Sequence, residues 1–98
     1  FSRIIQIISK HKDKHVAEEA ANILGQFLQD KYAAYVSGPA EPAVNRVRNQ
    51  YLFELLLKMP KDAQFIRQCK QDILTEIAII QSNKRYRSVQ IIPDVDAV

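Results

Sequence analysis

Residues 38–58 read GPAEPAVNRVRNQYLFELLLK. The stretch opens like a loop, with Pro39 and Pro42 close together, and closes like a strand. Tyr51, Phe53, Leu55 and Leu57 fall on one side by strict alternation, the period of a half-buried strand. Arg46 and Arg48 stand between the two parts. Read this way, a connection of about twelve residues precedes the most apolar strand, a length that in compact domains tends to mark function. Pro39 and Pro42 stiffen such a segment. On extended backbone Arg46 and Arg48, two residues apart, project to the same side.

The rest of the chain supplies the partners of that strand. Arg3 to Lys10, RIIQIISK, is short and β-branched, which favours a strand. Asp13 is placed to cap a helix over 14–31, with Val16, Ala20, Ile23, Leu24, Phe27 and Leu28 as its apolar stripe. Gly25 within it permits close packing on a sheet. Ala34 to Ser37 reads as a second strand ended by Gly38-Pro39. Pro60 ends the third strand. Asp62 then caps a helix over 63–82, with the stripe Phe65, Ile66, Cys69, Ile73, Ile77 and Ile80. Ser88 to Val95 reads as the last strand.

This order predicts an α+β domain of the ferredoxin-like, split βαβ type (βαββαβ): a four-stranded, mixed sheet with both helices on one face. Right-handed crossovers put the first and third strands in the centre. Pro93, which cannot donate to a ladder, fits the edge position of the last strand. On the third strand Leu52 and Leu56 then point away from the helices, beside Glu54 and Lys58. The first strand is apolar on both faces, with Gln6 as relief. That far face reads as a docking surface for the remainder of a larger protein, or as scattered surface leucine.

Ninety-eight residues, 47% hydrophobic and 26% charged, make one soluble globular domain over 1–98. No apolar run approaches the roughly 20 residues of a membrane helix. The chain starts at Phe1 with no leader pattern and is expected to be cut from a longer protein. Its net charge is +3, unevenly spread. Residues 1–45 hold five basic and five acidic side chains, residues 46–87 nine basic and four acidic. Arg46, Arg48, Lys84, Arg85 and Arg87 are the candidate phosphate contacts.

No catalytic, cofactor-binding or metal-binding residue stands out. Asp94 and Asp96 share a strand face, but no third ligand is near. His11 and His15 are separated by the capping Asp13. Cys69 lies in an apolar stripe and reads as a buried, inert thiol. Tyr51 and Phe53 alternate with core leucines and read as core rather than as stacking platforms for bases. The loop SKHKDKH lacks the glycine a phosphate cradle needs, so an acylphosphatase-like enzyme is not indicated.

Gly38-Pro39, Arg46, Arg48, Tyr51, Leu55-Leu56-Leu57-Lys58 and the closing Asp94-Val95-Asp96 together resemble the C-terminal domain of the bacterial primosomal replication-restart helicase family PriA. The opening FSR and the helical AEEAANIL fit the same domain, so the resemblance covers essentially the whole chain. The family's arginine and glutamine on the third strand are Leu52 and Glu54 here. Its final proline is Ala97, and Pro93 replaces an apolar residue. The resemblance implies a non-enzymatic module of an ATP-dependent DNA helicase that recognises stalled replication forks and restarts replication by primosome assembly. It implies branched or forked DNA, the parent's motor domains, single-stranded-DNA-binding protein and other primosome proteins as partners. ATP with Mg2+ and structural Zn2+ would belong to the parent, in a bacterial, nucleoid-associated cytoplasmic setting. The alternative is a scaffolding domain with little DNA contact.

Overall fold

The computed structural model describes residues 2–41 and 46–95, for Ser2, Arg46 and Val47 the backbone only. In chain order the elements are β1 (Ser2–His11), α1 (Lys14–Tyr32), β2 (Val36–Ala40), β3 (Arg46–Val47), β4 (Gln50–Pro60), α2 (Ala63–Gln81) and β5 (Gln90–Val95). A single 3-10 turn, Lys84–Tyr86, precedes β5. The strands lie in the order β2-β4-β1-β5, and the two-residue β3 prolongs the β2 side of β4. This is the ferredoxin-like arrangement that the element order predicts.

The sheet is antiparallel throughout rather than mixed. β1 and β2 do run in the same direction, as a right-handed crossover requires. β4 lies between them and runs oppositely, so the two parallel strands never share a ladder. β5 pairs with β1 alone, which leaves Pro93 on an edge.

Alternation fixes which face of β4 is buried. Phe53, Leu55, Leu57 and Met59 are buried, and Leu56 and Lys58 are exposed on the other face. Ile5 and Ile7 of β1 and Ile91 of β5 join the same core. Helix α1 starts at Asp13, whose side chain accepts from the His15 backbone N–H at 3.0 Å. Helix α2 starts at Asp62, which accepts from the backbone N–H groups of Gln64 and Phe65. Ile66, Cys69, Ile73, Ile77 and Ile80 of α2 are buried as their spacing predicts, and Phe65 is half-buried against Tyr32 and Tyr35.

Helix α1 departs from its predicted stripe. Ile23 is 39% exposed, while Ala17 and Ala21 are buried beneath Phe53. Small residues set the rotation of this helix. Gly25 approaches the sheet so closely that a Cβ there would lie 3.0 Å from Pro39 Cδ. That contact turns Ile23 towards solvent.

Two segment boundaries move for one reason. Gly38-Pro39 does not end β2 but lies within it, where the register against β4 shifts between Ser37 and Ala40. β2 and β3 then follow the same edge of β4 up to a two-residue turn, Arg48-Asn49, with φ of 53° and 64°. Positive φ at both central positions is the type I′ hairpin. Within the expected twelve-residue loop, residues 38–40 and 46–47 are therefore strand and Arg48-Asn49 is a turn, so Arg46 and Arg48 do not share an extended segment. Pro42 lies outside the described residues.

The helices are clasped through one carboxylate. Asp72 of α2 accepts from the Tyr32 hydroxyl, from Gln68 Nε2 at 3.0 Å and from Lys31 Nζ at 3.1 Å. The Tyr32 bond first, with Lys31 and Gln68 adding to it, holds the Asp72 carboxyl below the ordinary carboxylate range. A depressed folded-state pKa stabilises above the unfolded value and is lost as pH falls through the folded one. Asp72→Asn should therefore cost about 1 kcal/mol at neutral pH and flatten the loss of stability below about pH 4. Urea melts of both proteins between about pH 2 and 7 check this. Equal acid profiles would mean that Asp72 plays no part.

Candidate nucleic-acid interface

The antiparallel ladder brings three connections to one end of the sheet. Lys10 pairs with both Leu52 and Gln90, so the end of β1 lies beside the starts of β4 and β5. The β1–α1 connection, the Arg48-Asn49 turn and the α2–β5 connection therefore share one pole. By backbone position this pole carries Lys10, Lys12, Lys14, Arg46, Arg48, Lys84, Arg85 and Arg87. That is more than half of the chain's 14 basic residues. Lys12, Arg48, Lys84 and Arg87 are exposed. The side chain of Arg46 lies outside the described residues.

Hydrogen bonds fix the geometry of this pole. The Asp13 backbone N–H donates to His11 Nδ1 at 2.9 Å, so neutral His11 carries its proton on Nε2. Nε2 then donates to Ser88 Oγ at 2.8 Å and ties the β1–α1 connection to the start of β5. An imidazole that donates to a hydroxyl cannot take that hydroxyl's proton, so His11 and Ser88 are not a nucleophile and base. Asn83 starts the 3-10 turn by accepting from the Arg85 backbone N–H at 2.9 Å.

Two cations here already have carboxylate partners. Arg85 forms a fork on Glu19, Nε to Oε1 at 2.7 Å and Nη2 to Oε2 at 2.8 Å. The Tyr86 hydroxyl donates to the same Oε1 at 2.8 Å. Arg85 first, then Tyr86, pulls the Glu19 carboxyl down to about 2. Lys14 Nζ lies 3.1 Å from Glu41, and that contact raises its pKa.

Sequence reading singled out the basic residues of two connections and missed those of the third. Lys10 near the end of β1, Lys12 in the connection and Lys14 at the start of α1 flank a turn that fails as a glycine-rich phosphate cradle. Their density around the capping Asp13 was the available signal, because a strand-to-helix turn keeps successive side chains outside the core.

The opposite face of the sheet is apolar in its middle. Ile8 pairs with Ile92, Lys10 with Leu52 and Gln6 with Leu56. Leu56 is 37% and Ile92 46% exposed, while Ile8 and Leu52 are half-buried. Gln6 Nε2 donates to Glu54 and closes the polar gap in this strip. A groove of about 300 Å³ runs over Ile8, Leu52 and Ile92 to Lys10 and Arg48 at the basic pole. Leu52 and Leu56 thus face away from the helices, as alternation predicts.

The family profile described as the primosomal protein N C-terminal domain matches residues 1–98. The chain belongs to that family. This primosomal protein N C-terminal domain is also similar to a probable replication restart protein PriA of Deinococcus radiodurans, with 40% identity over 65 residues. The match covers 64% of this chain and 7% of that much longer relative. Among the described residues of the domain, no three His, Cys, Asp or Glu side chains group to hold a metal. Asp96 lies outside them. Cys69 is fully buried, and burial pushes its thiol up to about 11. No helix among the described residues is long and apolar enough to cross a membrane.

Proposed function

We propose that this chain is the DNA-backbone-binding and docking module of a PriA-like, ATP-dependent DNA helicase that restarts replication at stalled forks through primosome assembly. The chain itself performs no chemistry. The observation that carries the reading is the convergence of three basic connections at one pole. Clustered cations there neutralise phosphates without reading bases, which suits a protein that recognises a branch rather than a sequence. The contacts are Arg46, Arg48, Lys84, Arg85 and Arg87, joined by Lys10, Lys12 and Lys14. The apolar strip through Leu52 and Leu56 is the seat for the motor domains of the longer protein. Primosome proteins and single-stranded-DNA-binding protein are further partners of that longer protein.

A salt titration on one labelled fork tests this. Arg46→Ala with Arg48→Ala should flatten the log–log dependence of affinity on salt by about 1.8, two contacts' worth. Stability should move by no more than about 0.5 kcal/mol. Identical slopes would favour the second reading, a scaffolding domain with little DNA contact, for which the apolar strip speaks.

A further inference from the structure

Three donors converge on one carboxylate at the basic pole. Arg85 Nε and Nη2 and the Tyr86 hydroxyl all point at Glu19, at 2.7, 2.8 and 2.8 Å. A guanidinium fork with a hydroxyl beside it matches two oxygens of a carboxylate, and equally the two non-bridging oxygens of a phosphodiester. The backbone of the donors and the Tyr86 ring are fixed, whereas the charged side chains of the pair are not. Arg85 and Tyr86 belong to a 3-10 turn fixed at its start by Asn83, and the Tyr86 ring packs against the core. Glu19 reaches them from α1 on its own side chain, which is 42% exposed. The Arg85 side chain is itself 52% exposed, so the pair lies open to solvent and Glu19 can part from it to leave Arg85 and Tyr86 for another anion.

We infer that Arg85 and Tyr86 form a phosphate subsite that Glu19 fills while no DNA is bound, so that binding exchanges a carboxylate for a phosphate. This rests on the DNA reading proposed above and adds how the site is regulated. Glu19 neutralises Arg85 in the free domain and must be displaced before a phosphate can enter. Its carboxyl, like any glutamate, is ionised throughout the neutral range and so competes with an incoming phosphate for Arg85.

The test uses the 98-residue chain and a labelled DNA duplex over about 0.05–0.2 M salt. Glu19→Gln should bind roughly fivefold more tightly at low salt, because no carboxylate has to be displaced, while its slope stays close to that of the wild type, Arg85 meeting one phosphate in both. In Glu19→Gln with Arg85→Ala the gain should vanish, because Arg85 is the cation set free. A gain that survives in the double variant would reduce the effect to loss of one negative charge and overturn the subsite. Salt-dependent binding by the wild type with no change in Glu19→Gln would overturn this inference alone. No salt-dependent binding by either would sink the DNA reading and this inference with it. A second readout needs no substitution: adding duplex to the wild type should shift the Arg85 Nε–H resonance. If that signal stays still while backbone signals of the basic pole move, Glu19 is not displaced and the inference is wrong.

Discussion

Gly38→Ala should destabilise the fold by about 3 kcal/mol. Gly38 has φ of +102°, a region that side chains of L-residues rarely enter. A Cβ there would lie 2.7 Å from the Glu54 carbonyl oxygen and 3.3 Å from the Ala40 nitrogen. Both neighbours are backbone, so no rotamer change relieves the contact. Either β2 moves away from β4 at its irregular register, or the strain remains. A marginally stable domain of this size has about 5–15 kcal/mol in all, so the midpoint of melting should fall by about 15 °C. Urea unfolding followed by circular dichroism gives the number, with Ser37→Ala, at an exposed neighbour, as the control. A change below about 0.5 kcal/mol would show that the strand absorbs the Cβ without cost.

Removing Lys12, Arg48, Lys84 and Arg87 together should abolish most DNA affinity on the reading proposed above. These four are exposed and come from all three connections of the basic pole. If each meets one phosphate, the all-alanine variant loses affinity on the order of a thousandfold at about 0.1 M salt, and its log–log slope flattens by about 3.6. The fold should survive, since none of the four lies in the buried core. Fork-binding isotherms at several salt concentrations, with circular dichroism as the check on folding, decide the matter. A loss within threefold would place the DNA contacts elsewhere.

What the sequence disclosed, and what it withheld, follows the range of the interactions. Asp13 and Asp62 announce their helices because a cap is a local event within three residues. Tyr51 to Leu57 announces its strand because one buried face imposes a period of two. Pro93 marks its edge because a missing N–H is visible in one residue type. The Arg48-Asn49 turn was hidden, since type I′ turns are usually signalled by Asn-Gly or Asp-Gly and arginine seldom takes φ of 53°. Gly38-Pro39 looked like the end of a strand because only pairing with β4 reveals that the strand continues through it. Ile23 sat in a plausible stripe, and only the close approach at Gly25 turned it outward. The convergence of Lys12, Arg48 and Arg87 could not be read from spacing at all. It is a product of register, and register is decided across the sheet.

The ladder also settles where force would enter this domain. Ser2 pairs with Pro60 and Val95 with Ile5, so the first strand begins and the last strand ends at the pole opposite the Arg48-Asn49 turn. Polypeptide joined at either side thus hangs the domain by one pole and holds the other out in front. β1 and β5 are antiparallel neighbours, so traction between such tethers would part them rung by rung, as a zip opens, instead of shearing every rung at once. Along that line the domain is mechanically soft, and a load carried through the chain would peel β5 away before it disturbed the helices.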